Sequence, residues 1–364
     1  MLRGVMCHAF LFVWLATGAG TALTSISAAA ASLLEAPTPA PLEETGYRAF
    51  KFSGTGFPSF NVFLTTSVAE LRDALPLIVY VPGSGCASNF RIVDGKAQAG
   101  WFDREIRRIA GDAEFVAADR AGVELFAQPG QPGMGSDCGV DYALYSDFNQ
   151  VAAGLAALVD HLVGRRKKPP QYILVVGASD GAPIAALASA LSPSISHVAM
   201  ISGGGDNQLK EFVLLQSNPL TGKTNENSND RLRDVFQMFD TVRRTSEESK
   251  VLFGHPVKRW KAAFSISVTN ALSNAKAAVY LVSSTDDNAV PIASTDLLAA
   301  SLIAGGKDIV FERIPGADHA LRTGPEKSTS RRVEAMRSIV KWASGSPAHG
   351  EDVIWPLKVG RSDR

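Results

Sequence analysis

The sequence predicts an α/β fold with a mostly parallel central sheet of about eight strands, helices on both faces, and a small helical insertion after the sixth strand. Three observations carry that expectation. From about Gly46 onward, short apolar runs alternate with longer stretches of helical spacing, the pattern of strand and covering helix in a parallel sheet. Runs such as Leu77-Ile-Val-Tyr-Val81 and Tyr172-Ile-Leu-Val-Val176 are continuously apolar, as strands buried on both faces must be. These two runs lead into the glycine-rich stretches Pro82-Gly-Ser-Gly85 and Gly177-Ala-Ser-Asp-Gly181, where a strand gives way to a tight turn.

The elements follow in order. Arg3 precedes an apolar segment from Val5 to about Ala22 and the small-residue run Ser27 to Ala31, so residues 1–31 read as a secretory signal peptide. An uncleaved membrane anchor is the competing reading, but His8, Thr17, Gly18 and Gly20 interrupt the run and no charged stop-transfer flank follows. Residues 32–45, with Glu35-Ala-Pro-Thr-Pro-Ala-Pro-Leu-Glu-Glu44, read as a Pro-rich extended leader. The folded domain is expected over 46–346. It opens with an antiparallel edge pair, Tyr47 to Phe52 and Phe60 to Leu64, where apolar and polar residues alternate.

Leu77 to Val81 is the next strand, Trp101 to Ala110 has helical spacing, and Glu114 to Ala118 is a short strand before the Gly/Pro loop Gln128 to Gly139. Phe148 to Val163 reads as helix, Tyr172 to Val176 as strand, the alanine-rich stretch to about Leu191 as helix, and His197 to Ile201 as strand. The polar, Asn-rich stretch at about 206–262 breaks the rhythm and reads as the insertion or cap. Strands at Ala278 to Val282 and Ile309 to Ile314, with helices at Ser294 to Ala304 and Arg331 to Ala343, complete the sheet, and 347–364 read as a tail.

Within this frame one serine stands out. A hydroxyl becomes a useful nucleophile when a histidine can take its proton, a carboxylate orients that histidine, and backbone N–H groups await the oxyanion. Gly177-Ala-Ser-Asp-Gly181 sets Ser179 between a strand and a helix, in the G-x-S-x-G pattern of a nucleophile elbow. Glycine is abundant here, 32 of 364 residues, so the pattern alone carries little weight. Partners lie downstream, each just past a predicted strand: Asp286 and Asp287 in Ser283-Ser-Thr-Asp-Asp-Asn-Ala-Val-Pro291, and His319 in Pro315-Gly-Ala-Asp-His-Ala-Leu321. His161 and His197 fall in predicted helix and strand, His255 in the insertion, and His8 and His349 at the ends.

With Ser179, a D-x-x-V-P loop at Asp287 and a G-x-x-H loop at His319, the chain from about residue 46 resembles the α/β-hydrolase superfamily. The resemblance implies the α/β-hydrolase fold and a triad of Ser179, Asp287 and His319, with Asp286 as the less favoured acid. It implies oxyanion donors at the N–H of Asp180 and in the loop after the third strand. Relatives often begin that loop with His-Gly where this chain has Pro82-Gly83, and proline has no N–H, so Ser84 is the first choice and Gly85 the second.

Three cysteines occur, and Cys7 would leave with the signal. Cys86 and Cys138 then remain in a compartment where a disulfide persists, with two separate thiols the alternative. In the resembling fold both lie in loops at the same sheet edge, so a bridge would fasten the oxyanion loop to the Gly/Pro loop. Asp119-Arg120 reads as an ordinary surface ion pair, with substrate binding as the other reading, and Trp260 and Phe264 as core or pocket wall.

Lys+Arg and Asp+Glu both number 36, which removes the basic field that nucleic acid requires. No later segment has about 18 consecutive apolar residues, so no stable membrane insertion is expected after signal cleavage. No metal-ligand spacing and no phosphate-binding loop appears, and the expected chemistry needs no cofactor. The resemblance implies an exported serine hydrolase, periplasmic or extracellular, acting on a small-molecule ester or short peptide. Carboxylic-ester cleavage through an acyl-enzyme comes first, a prolyl-oligopeptidase-like exopeptidase second, and a non-catalytic binding module of the same fold third.

Overall fold

A computed structural model describes residues 31–36, 39–65, 71–100, 109, 111–131, 133–217, 227–345 and 352–355. The expected signal peptide and most of the expected Trp101–Ala110 helix lie outside the described residues. The central sheet has ten strands: β1 (Ser32–Glu35), β2 (Arg48–Gly54), β3 (Phe57–Leu64), β4 (Leu77–Val81), β5 (Glu114–Ala118), β6 (Ile173–Ala178), β7 (His197–Ile201), β8 (Ala278–Ser284), β9 (Ile309–Ile314) and β10 (Val353–Trp355). Their order across the sheet is β1-β2-β3-β5-β4-β6-β7-β8-β9-β10. The six strands from β5 to β9 pair in parallel, and β1, β2, β3 and β10 complete the sheet antiparallel at its edges.

Eight strands were expected; the two additional ones are both short edges. Ser32–Glu35, in the expected leader, pairs with β2, and Val353–Trp355, in the expected tail, pairs with β9. An edge strand needs only one partner, and at 4 and 3 residues these segments are too short to show an alternating pattern of their own.

Alternation along the parallel strands divides the core in two. Leu77, Val79 and Val81 face the same side as Ile173, Val175, Val279 and Leu281, against helices α2 (Phe148–Gly164), α3 (Gly181–Leu191), α7 (Val268–Asn274) and α8 (Ile292–Ala304). Ile78, Tyr80, Leu174, Val176, Tyr280 and Val282 face the other side, packed by Ala335, Met336, Ile339 and Val340 of α9 (Arg332–Ala343). Both faces are therefore dry, which is why these strands read as continuous apolar runs. The short helix α1 (Val140–Tyr145) follows the Gly/Pro loop.

Between β7 and β8 the chain forms α4 (Gln208–Ser217), α5 (Ser228–Arg244), a small hairpin (Val251–Leu252 with His255–Pro256), α6 (Val257–Ser265) and α7. The helical excursion thus runs past residue 262, to Asn274. It has a small core of its own, in which Val242, Val257 and Trp260 pack with Phe212 and Phe264. Trp260 stacks on Phe264 with ring centroids 5.5 Å apart, so Phe264 acts as core, while Trp260 is both core and cavity wall. Among the described residues no helix is long and apolar enough to cross a membrane.

Candidate active site

Parallel strands deliver their following loops to one edge of the sheet, and the expected site residues all lie on those loops. β6 ends at Ala178, and Ser179 follows with φ +52°, a left-handed conformation rarely held by a residue with a side chain. The flanking glycines make it possible. A Cβ at Gly177 would lie 2.2 Å from the Gly181 carbonyl oxygen, and one at Gly181 would lie 2.3 Å from that of Val81, so neither position admits a side chain. The Ser179 N–H donates to the Ile201 carbonyl at 2.9 Å, which fixes the turn against β7.

His319, after β9, brings Nε2 to 3.1 Å from Ser179 Oγ and Nδ1 to 2.8 Å from Asp287 Oδ2. Asp287 is held in turn, its Oδ1 accepting the N–H groups of Ala289 and Val290 at 2.8 and 2.9 Å. Asp286 points outward and pairs with Lys327 Nζ at 3.0 Å, which leaves the histidine to Asp287. Burial opposes protonation of His319, but hydrogen bonding and charge from Asp287, with Asp180 and Asp318 adding to it, outweigh that and raise its pKa above the ordinary histidine value.

Two N–H groups near Ser179, those of Asp180 and Ser84, take no acceptor among the described residues. Gly85, the second expected choice, is corrected by the structure: its N–H donates to the buried Tyr142 hydroxyl at 3.2 Å and is not free for an oxyanion. Ser84 is set by its neighbour. Arg120 Nε donates to the Gly83 carbonyl at 3.0 Å and Nη2 to that of Pro82 at 3.4 Å. A trans peptide carries C=O and N–H on opposite sides, so a Gly83 carbonyl turned to Arg120 turns the Ser84 N–H away from it.

The Asp119-Arg120 pair is a second correction. Both residues are buried and they serve different partners. Asp119 accepts from Ser88 Oγ and from the backbone and side chain of Asn89, and burial, only partly offset by these bonds, raises its pKa to about 6. Arg120 braces the loop after β4 and lies 3.8 Å from Asp180 Oδ2.

The principal cation at Asp180 is Arg259, from α6, which was not singled out in the sequence. It meets both carboxylate oxygens of Asp180 at 2.7 to 2.9 Å, while Gln208 Nε2 donates to Oδ1 at 2.7 Å. The Arg259 guanidinium lies 4.4 Å from the Trp260 ring centre and 5.5 Å from that of Phe148. Burial alone would raise the Asp180 pKa, but Arg259, then Arg120 and His255, hold it at about 2. The residue after Ser179 is thereby tied to the insertion.

Cys86 and Cys138 form a disulfide with Cα atoms 5.7 Å apart. It joins the loop after β4 to the Gly/Pro loop, whose Gly133 and Met134 share a cavity wall with Ser84. Closing a loop of 52 residues removes unfolded-state entropy equivalent to about 4 kcal/mol. The Cys86→Ser/Cys138→Ser variant is expected to lose stability on that scale in urea titration, with an unchanged midpoint arguing against such a contribution.

Two cavities flank Ser179. The larger, about 460 Å³, lies between the sheet edge and the insertion and is lined by Ser84, Ser179, Glu211, Arg259, Trp260 and His319 among others. The smaller, about 160 Å³, lies toward Tyr80, Ser202 and Leu321.

No family model matches this sequence, and no curated protein does. Solved structures do match. A puromycin-hydrolyzing peptidase of Mycobacterium tuberculosis superposes with a TM-score of 0.52 at 14% identity over 84% of this chain, which spans 40% of that protein's length. Est1E from Butyrivibrio proteoclasticus with ferulic acid bound gives a TM-score of 0.50 at 14% identity, covering 79% of this chain and 96% of its own. Strand order, the elbow at the end of β6 and these superpositions agree that the chain has the fold of the α/β-hydrolase superfamily.

Proposed function

We propose that the protein is an exported serine hydrolase that cleaves carboxylic esters through an acyl-enzyme. The continuous hydrogen-bonded line from Asp287 through His319 to Ser179, 2.8 and 3.1 Å in its two links, carries the reading. Ser179 Oγ attacks the ester carbonyl as His319 Nε2 takes its proton. The N–H groups of Asp180 and Ser84 receive the negative oxygen. Collapse of the tetrahedral intermediate breaks the bond to the leaving alkoxide, which takes the proton back from His319. Water, deprotonated by the same nitrogen, then releases the acid and restores Ser179. Asp287 holds Nδ1–H and stabilises the imidazolium. The disulfide supports export, since such a bridge persists in oxidising compartments.

The unequal cavities on either side of Ser179 suit an ester with one small group and one larger one. Among p-nitrophenyl esters from acetyl to palmitoyl, tested beside aminoacyl-p-nitroanilides, short acyl esters are expected to turn over fastest. Turnover of the anilides alone would replace the esterase reading with a peptidase. Because His319 must be neutral to act as base and its pKa is raised, kcat/KM is expected to fall on the acid side at a pH above the ordinary histidine value. Asp287→Asn should move that fall to lower pH, and an unmoved profile would take Asp287 out of its role.

A further inference from the structure

We infer that the larger cavity binds substrates bearing an ammonium group, with the Glu211 carboxylate as its counter-ion. The inference rests on that cavity being the substrate site of the hydrolase proposed above. The other ionisable groups in the cavity wall are already partnered or neutral. Arg259 is neutralised by Asp180, Asp206 is paired with Lys210 at 2.6 Å, and the His319 ring is hydrogen-bonded to Asp287. Burial, reinforced by the Arg259 charge, keeps His255 neutral.

Glu211 differs from all of these. It is 8% exposed, one oxygen accepts the Gly205 N–H at 3.0 Å, and no basic side chain lies within ion-pair distance of it among the described residues. A buried carboxylate left with one neutral donor is costly. The backbone is nevertheless shaped to hold it: Gly204 has φ +74°, and a Cβ there would sit 2.0 Å from Glu211 Oε1. Burial pushes the carboxyl up to about 7, the Gly205 N–H offsetting only part of that, with Asp180 and Asp287 adding to the rise and Arg259 opposing it. A ligand cation would supply the missing partner, since a nearby opposite charge favours the ionised form. Phe212 and Trp260 in the same wall would cover the aliphatic part of such a ligand.

The test is binding, so that it stands whether or not Ser179 is the nucleophile, which turnover by the wild type decides separately. Ser179→Ala protein is titrated by ligand-observed NMR with methyl esters that differ in one group. The pairs are 3-aminopropanoate against butanoate and 6-aminohexanoate against heptanoate, with 6-hydroxyhexanoate as an uncharged donor. The ammonium member of at least one pair is expected to bind about tenfold tighter, as a charge-assisted contact allows. Adding Glu211→Gln should collapse that ratio toward parity, and Glu211→Asp should keep part of it. A ratio measured within one protein is insensitive to any unfolded fraction. The inference is overturned if no ammonium ester binds, if each neutral ester binds as well as its ammonium partner, if the hydroxyl ester matches the ammonium ester, or if Glu211→Gln leaves the ratio unchanged.

Discussion

Ser179→Ala is expected to lower kcat for ester hydrolysis by about four to six orders of magnitude, leaving a residual rate from the oxyanion donors and binding alone. The size of the effect follows from the geometry. Without Oγ there is no covalent intermediate, and His319 can act only as a general base on water. KM should change little, because the hydroxyl contributes little to ground-state binding. Thermal stability should also hold, since a smaller side chain at φ +52° disturbs no buried contact. A modest loss, within about tenfold, would mean that another group attacks the carbonyl.

Arg259→Met is the second large effect, and it appears first in stability. Removing the guanidinium leaves the buried Asp180 carboxylate with Gln208 and with Arg120 at 3.8 Å. Breaking a buried pair from one side typically costs about 3–5 kcal/mol, readable as a shift of the urea midpoint. The Arg259→Met/Asp180→Asn variant should recover part of that loss, because the Asp180 charge goes with that of Arg259, while Arg120 is left with the Pro82 and Gly83 carbonyls alone. Asp180 is held at about 2, below its ordinary 3.8. The pairing therefore stabilises the fold above the ordinary carboxylate value, and that contribution is lost as pH falls from near 4 toward 2. Equal stability of Arg259→Met and wild type at pH 7 would contradict this role.

The contrast between these two sites shows what the sequence makes legible. Ser179, Asp287 and His319 could be located because each sits in a short loop that directly follows an apolar strand, and strand periodicity is a local property. Arg259 could not. It lies 79 residues from Asp180 in a helix with a charged pattern, where the ordinary expectation for arginine is solvent. A partial signal existed in Asp180 itself: a carboxylate placed directly after Ser179 in a tight elbow is buried by the turn, and a buried carboxylate needs hydrogen-bonding or charged partners from elsewhere in the chain. Arg120 likewise finds its partners far along the chain, at the carbonyls of Pro82 and Gly83 and at Asp180, whereas its sequence neighbour Asp119 suggests a local pair. The edge strands β1 and β10 are not legible because 4 and 3 residues are too few for a periodic pattern, and pairing with an existing sheet makes them strands.

Activation of Ser179 as a nucleophile is read most directly from the intact mass of the protein after treatment with a fluorophosphonate, followed by peptide mapping. One adduct per chain, on Ser179, lost in Ser179→Ala and greatly slowed in His319→Ala, is the predicted result. Absence of any adduct on folded wild-type protein, or an adduct mapped to another residue, would contradict it.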